Sequence, residues 1–300
     1  MRDAFIAELT NAARENPKVV LVVGDLGYGV IEPFANEFPK RFFNAGVAEQ
    51  NMVGLAAGLA SEGFHVFCYS IANFPTFRCA EQIRNDVDYH NLPVTIVAVG
   101  GGLSYGSLGY SHHAVQDYAL MRTMPNMLIA SPGDPMEVRA CMKYLIKNPQ
   151  PSYLRLGKAG EKSIHLSIPK IIPGKPLIVK SGSSIEKVFI STGSPLAVVN
   201  DFLNQTTEAR NISHFTMPLW GMGFKSTVAY ELSAFQTVVT VEDHLEDGGF
   251  GSWILEAVNR IENNKPSIVI NALDAKVCGM VGTQEILNEA AGLLDFKKCV

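Results

Sequence analysis

The chain has 300 residues, 47% of them hydrophobic and 18% charged, with a formal net charge of −4. That is enough apolar sequence for a large core and enough length for two domains, and the charge leaves no electrostatic footprint for nucleic acid or an anionic membrane. Five scattered cysteines (Cys68, Cys79, Cys141, Cys278, Cys299) without a C-x-x-C pair read as reduced thiols rather than a disulfide framework. No segment approaches ~20 consecutive apolar residues, and the opening "MRDAFIAELTNAARENP" lacks the apolar stretch of a signal peptide. The expectation is a soluble, cytoplasmic protein.

In chain order, that opening stretch has the pattern of an amphipathic helix. "KVVLVVGD" (18–25), "LPVTIVAVGG" (92–101) and "NMLIASP" (126–132) read as buried strands, continuously apolar and ended by Gly or Pro. Helical periods fall near 50–62, 76–90 and 135–147. The last has a start signal in Asp134 as N-cap, Pro135 at the first helical position and Glu137 in the first turn. The Pro- and Gly-rich stretch "LSIPKIIPGKPLIVKSGSS" (166–184) breaks the rhythm and reads as a link. Strand "KVFIST" (187–192), a helix near 195–205, strand "QTVVTVED" (236–243), a helix near 250–262, strand "SIVINAL" (267–273) and a helix from Thr283 follow. Strand–helix alternation predicts an α/β protein of two domains, each a mostly parallel sheet flanked by helices. The expected division is 1–165, a link at 166–182, and 183–300.

Within "RFFNAGVAEQNMVGLAAGLASEGF" (41–64), Glu49 heads an otherwise apolar, Gly- and Ala-rich helix. Acids at helix N-termini commonly complement the macrodipole and cap free N–H groups. Here the flanks on both sides are apolar, and an acid taken out of water keeps its proton to higher pH and is a candidate for function. The small residues Gly54, Ala56, Ala57, Gly58 and Ala60 let another surface approach the same helix closely.

This stretch resembles the pyrimidine-binding domain of transketolases and deoxyxylulose-phosphate synthase, thiamine diphosphate enzymes. The resemblance continues through "VGDLG" (23–27), "EQIRNDVDYHNLPV" (81–94), "HHAVQDYALMRTMPNMLIASPGDPMEV" (112–138), "PSYLRLGK" (151–158) and "VVTVEDHLEDGGFGS" (238–252), so it covers essentially the whole chain. It implies a pyrimidine-binding fold followed by a transketolase C-terminal-like domain. It also implies that Glu49 hydrogen-bonds N1′ of the cofactor's aminopyrimidine and favours its imino tautomer, the step that activates the thiazolium. Asp25 and Leu26 match an Asp-Leu that lies against the cofactor, Phe74 and Phe77 match aromatics stacked on its pyrimidine, and His112 matches a histidine facing the thiazolium and substrate. Taken without the resemblance, an F-x-x-F pair is ordinary core and a lone histidine is a satisfied one.

The G-D-G…N motif that holds the diphosphate and metal in such enzymes is missing. Gly24–Asp25–Leu26 imitates it, but Leu26 stands where a small residue must let backbone approach phosphate. The resemblance therefore implies the C-terminal half of a split enzyme. A separate N-terminal subunit would carry the diphosphate and Mg²⁺ or Ca²⁺, and the expected assembly is an α2β2 heterotetramer. The substrate pocket departs from the family. Leu108 replaces an Asp that contacts a sugar hydroxyl, Gly29 a Ser, the Gly100–Gly102 run a His, and Lys158 an Arg, with loss of its bidentate fork. The expected chemistry is transfer of a two-carbon unit from a ketol or 2-oxo donor to an aldehyde, with a non-standard substrate. Two alternatives stay open: the beta subunit of a 2-oxoacid dehydrogenase decarboxylase component, and a non-catalytic paralogue.

Overall fold

Buried β-branched runs set two sheets in the computed structural model, which describes residues 1–184 and 186–299. Among these residues the strands are β1 (Val19–Val23), β2 (Phe42–Asn44), β3 (His65–Ile71), β4 (Val94–Val99), β5 (Leu128–Ala130), β6 (Ser152–Leu156), β7 (Leu177–Lys180), β8 (Lys187–Ser191), β9 (Ser213–Thr216), β10 (Leu219–Trp220), β11 (Thr237–Leu245) and β12 (Ser267–Leu273). The first sheet runs β10-β5-β6-β4-β3-β1-β2 and is parallel except for β10. The second runs β12-β11-β8-β9-β7 and is parallel except for β7. The α/β reading and the mostly parallel sheets flanked by helices hold.

Two strands lie where the sequence did not suggest them, and one of them joins the halves. β7 lies inside the stretch read as a link and forms an edge of the second sheet against β9. β10, only two residues long, follows β9 and yet pairs antiparallel with β5 of the first sheet. Trp220 in β10 is buried against Tyr118, Phe250 and Trp253, so one apolar cluster runs through both halves.

The start signal for the third predicted helix is realised: Asp134 Oδ1 accepts from Glu137 N at 2.7 Å, and the helix spans Pro135–Lys147. The first predicted helix spans Glu49–Ser61. The second breaks into Asn73–Phe77, Ala80–Gln82 and a π-helical turn at Ile83–Asp88. Such turns widen a helix to aim side chains, often at functional sites.

Candidate active site

The C-terminal ends of β1, β3 and β4 open on the same side of the first sheet, the usual ligand side of a parallel sheet. Glu49 sits there, 5% exposed, at the first position of its helix, with the Gly24 backbone and Met52 beside it. The apolar setting inferred from the sequence needs correcting. Arg78, in the turn just after the helix Asn73–Phe77, donates from Nη1 to Glu49 Oε1 at 2.9 Å, so the carboxylate has a cation on one oxygen. The other oxygen, Oε2, takes no hydrogen bond among the described residues.

A line of contacts leads away from this pair. The Arg78 guanidinium lies 4.1 Å over the Phe74 ring. Phe74 meets His112 edge to face at 5.3 Å, His112 meets Tyr105 at 6.3 Å, and Lys158 Nζ lies 5.0 Å from the Tyr105 centroid. Glu49, Phe74 and His112, three of the residues picked out in the sequence, thus share one surface, with Arg78 and Tyr105 filling the joints. His112 is half-buried, its Nδ1 is 3.0 Å from Ser111 Oγ, and burial first, then the Arg78 charge, pushes its pKa below the usual value. The imidazole is therefore neutral at pH 7 and able to accept or donate one hydrogen bond at each nitrogen.

The loop carrying His112 is pinned twice. Asn73 Nδ2 donates to the carbonyls of Ser111 (3.1 Å) and His113 (2.9 Å). Arg155, buried at the join of the two halves, donates to Ala114 O at 2.7 Å while pairing with Asp117 at 2.7 Å and Asp243 at 2.5 Å.

Asp25 follows β1 with φ +55, a left-handed conformation tolerated by Asp. Its Oδ1 accepts from Asn44 Nδ2 and Tyr28 OH, both at 2.9 Å, and these bonds, Asn44 first, hold the carboxyl below the usual carboxylate range. Leu26 is half-buried on the rim of the core. Phe77 and Leu108 are exposed, as are Tyr28, Val47 and Tyr110. Lys158 meets the group only through the Tyr105 ring, and it lines a cleft that Glu49 does not. Tyr105 also explains Gly100, which has φ +83; a Cβ there would stand 2.1 Å from the Tyr105 ring. The aromatic ring fills the space over Gly100.

The pocket suits a flat, weakly basic heteroaromatic ring. One carboxylate oxygen is free to accept from a ring N–H, and Phe74, stacked under the same Arg78, offers an aromatic face. Sequence reasoning missed Arg78, Asn73 and Arg155. Neither Arg78 nor Arg155 had a local signal: the helix expected at 76–90 leaves Phe74 outside it, and the partners of Arg155 are distant in sequence.

Comparison with known proteins identifies the family. Residues 1–160 match the family described as "Transketolase, pyrimidine binding domain". The chain is 31% identical to a subunit of the apulose-4-phosphate transketolase of Phocaeicola vulgatus, over 92% of this chain and 88% of that one. It is 32% identical to the putative transketolase C-terminal section of Methanocaldococcus jannaschii, over 98% and 92%. Against the 1-deoxy-D-xylulose-5-phosphate synthase of Clostridium perfringens it is 31% identical over 91% of its own length but spans only 47% of that protein. Among solved structures, a split gene transketolase described as an inactive beta4 tetramer superposes with a TM-score of 0.82 at 30% identity, covering 97% of this chain and 93% of that one. This chain belongs to the transketolase family and corresponds to its C-terminal section.

Proposed function

We propose that this chain is the pyrimidine-binding subunit of a two-component, thiamine diphosphate-dependent transferase. The reaction is passage of a two-carbon unit from a ketol or 2-oxo donor to an aldehyde acceptor. The observation that carries the reading is Glu49 itself: buried, held by Arg78 on one oxygen and open on the other, with Phe74 stacked under the same Arg78. When bound, the cofactor supplies an electron sink for carbon–carbon cleavage. Glu49 would hold the ring nitrogen through Oε2, and Phe74 and Phe77 would pack the pyrimidine. Asp25 and Leu26 would border it at the end of β1. His112, neutral and fixed in place by Asn73, would hydrogen-bond the substrate oxygen.

The partner is a separate N-terminal subunit holding the diphosphate and its Mg²⁺ or Ca²⁺. No cluster of His, Cys, Asp or Glu among the described residues could hold a metal ion. Large apolar side chains left in solvent, Tyr28, Val47, Phe77 and Leu108 among them, favour a covering chain. The helix Glu49–Ser61 offers an open face at Gly54 and Gly58, where an added Cβ would meet nothing within 4 Å, close-packing ground for a two-fold α2β2 assembly. No helix of the described residues is long and apolar enough to cross a membrane. The free thiols of Cys68, Cys79, Cys141, Cys278 and Cys299 favour a reducing compartment, the cytoplasm. The Phocaeicola relative is named for a phosphorylated ketose, whereas Tyr105, Gly29, Leu108 and the displaced Lys158 favour a substrate without a terminal phosphate at the Glu49–His112 opening.

Reconstitution tests the reading. The chain alone is expected to bind thiamine diphosphate weakly, with no turnover. Adding a G-D-G…N partner should restore donor cleavage, read as ferricyanide reduction with hydroxypyruvate. Mg²⁺-dependent micromolar cofactor binding to the chain alone, on a ~8 kcal/mol scale, contradicts the division of labour.

A further inference from the structure

The short helix Asn73–Phe77 stands between the two ends of the candidate site. Just past its last residue, Arg78 holds Glu49 at 2.9 Å. At its first residue, Asn73 reaches the loop of His112, donating from Nδ2 to the carbonyl oxygens of Ser111 at 3.1 Å and His113 at 2.9 Å. Phe74 joins the two, under the Arg78 guanidinium and edge to face with His112. The helix is itself held in place: Pro75 and Thr76 are buried, and Thr76 Oγ1 donates back to Ala72 O at 2.8 Å. Glu49 and His112, distant in sequence, are thus both referenced to one element.

Local needs do not account for an asparagine at this position. At a helix start such a side chain ordinarily serves the free N–H groups of its own first turn, yet no side chain caps this helix. Its Oδ1 is shut away from solvent and accepts from no described residue. An enclosed, unpaired amide oxygen costs stability, and an apolar side chain of similar size would avoid that cost. What the carboxamide does instead is bracket His112, because the carbonyls on both sides of it are tied to the same nitrogen. The imidazole keeps only its side-chain torsions. Those are limited in turn by Ser111 Oγ, 3.0 Å from Nδ1, and by the Phe74 and Tyr105 rings. Nε2 is left as the nitrogen without a partner among the described residues.

We propose that Asn73 is a positioning residue, which through the helix Asn73–Phe77 sets the place of His112 Nε2 relative to the Glu49 carboxylate. The inference rests on the transferase reading and adds to it a residue that acts on rate only through His112. A reacting group misplaced by about 1 Å can lose on the order of 100-fold in rate.

Asn73→Leu keeps the volume and removes both donations. In the reconstituted pair its kcat should fall ~10–100-fold with the donor KM within ~2-fold of the parent, the mark of an interaction that matters in the transition state and not in binding. Its melting temperature should stay within ~4 °C of the parent, because the bonds lost are offset by removal of the enclosed oxygen. Asn73→Ser, which keeps one donor, should recover part of kcat. Proton NMR of the isolated full chain gives a readout that needs no partner: Asn73→Leu should weaken the Phe74–His112 ring cross-peak and broaden the His112 resonances. A parent-like kcat in Asn73→Leu, a loss confined to KM, or an unchanged cross-peak overturns the proposal. Failure of the parent pair to cleave any donor counts against the transferase reading instead, and the ring measurement then still decides whether Asn73 places His112.

Discussion

Arg78 Nη1 lies 2.9 Å from Glu49 Oε1, so the most buried carboxylate of the candidate site is met by a cation whose own guanidinium is half in solvent and stacked on Phe74. One residue thereby fixes Glu49, supports the aromatic wall and sets the local potential felt by His112.

Glu49→Gln keeps size and the Arg78 contact but removes the carboxylate. With the partner present, turnover should fall at least ~100-fold, the scale for losing a general acid–base group. Thermal unfolding of the isolated chain should move little. Near-normal donor cleavage by this variant would show that the cofactor is activated by some other group.

Arg78→Met tests the charge at His112. Burial, then the Arg78 cation, lowers the His112 pKa, so removing the cation should raise it. The folded imidazole takes up its proton at lower pH than the unfolded one, so its contribution to stability is present above ~6.5 and is lost as pH falls through that value. In the variant this loss should be smaller, and the acid limb of kcat/KM should move to higher pH. Proton NMR of the His112 ring across pH 4–8 reads the shift directly; an unmoved midpoint contradicts the coupling.

Arg155→Met leaves Asp117 and Asp243 buried without their cation. Breaking a buried pair of this kind costs ~3–5 kcal/mol, a large share of the stability of any domain. The variant should melt well below the parent chain by calorimetry. Asp243→Asn, which keeps a hydrogen-bonding acceptor for Arg155, should lose less. Equal melting of Arg155→Met and the parent would remove Arg155 as the tie between the halves.

Xylulose 5-phosphate and ribose 5-phosphate should be poor substrates of the reconstituted pair. Losing two charged contacts costs ~3–6 kcal/mol, a factor of ~100 or more in specificity. Tyr105 fills the space over Gly100, and Lys158 meets the group only through that ring. Specificity constants near ~10⁴ M⁻¹s⁻¹ or higher for these sugars would mark an ordinary transketolase.

The parallel strands β1, β4, β8, β11 and β12 were legible because continuous β-branched runs ended by Gly, Pro or acid have few other folded uses. The helix Pro135–Lys147 was legible because Asp134, Pro135 and Glu137 state its start locally. Glu49 stood out as a charge in an apolar setting. Arg78 escaped notice because a surface arginine is ordinary until its partner's position is known. β10 and the Arg155 cluster were hidden for a deeper reason. Leu219–Trp220 is too short for any period, and Arg155 meets Asp117 and Asp243 only after both sheets have formed.

The pairing of β10 with β5 changes how the polypeptide must mature. The first sheet lacks an edge until residues far along the chain, beyond β9, have been made and folded back. A fragment ending near residue 165 would present β5 as a bare hydrogen-bonding edge and leave the Tyr118 pocket without Trp220. Such long-range closure slows folding and makes early, partly synthesised chains prone to edge-to-edge association. The two sheets are thus one cooperative unit in assembly, and trimming the chain between them should give aggregates rather than a working half.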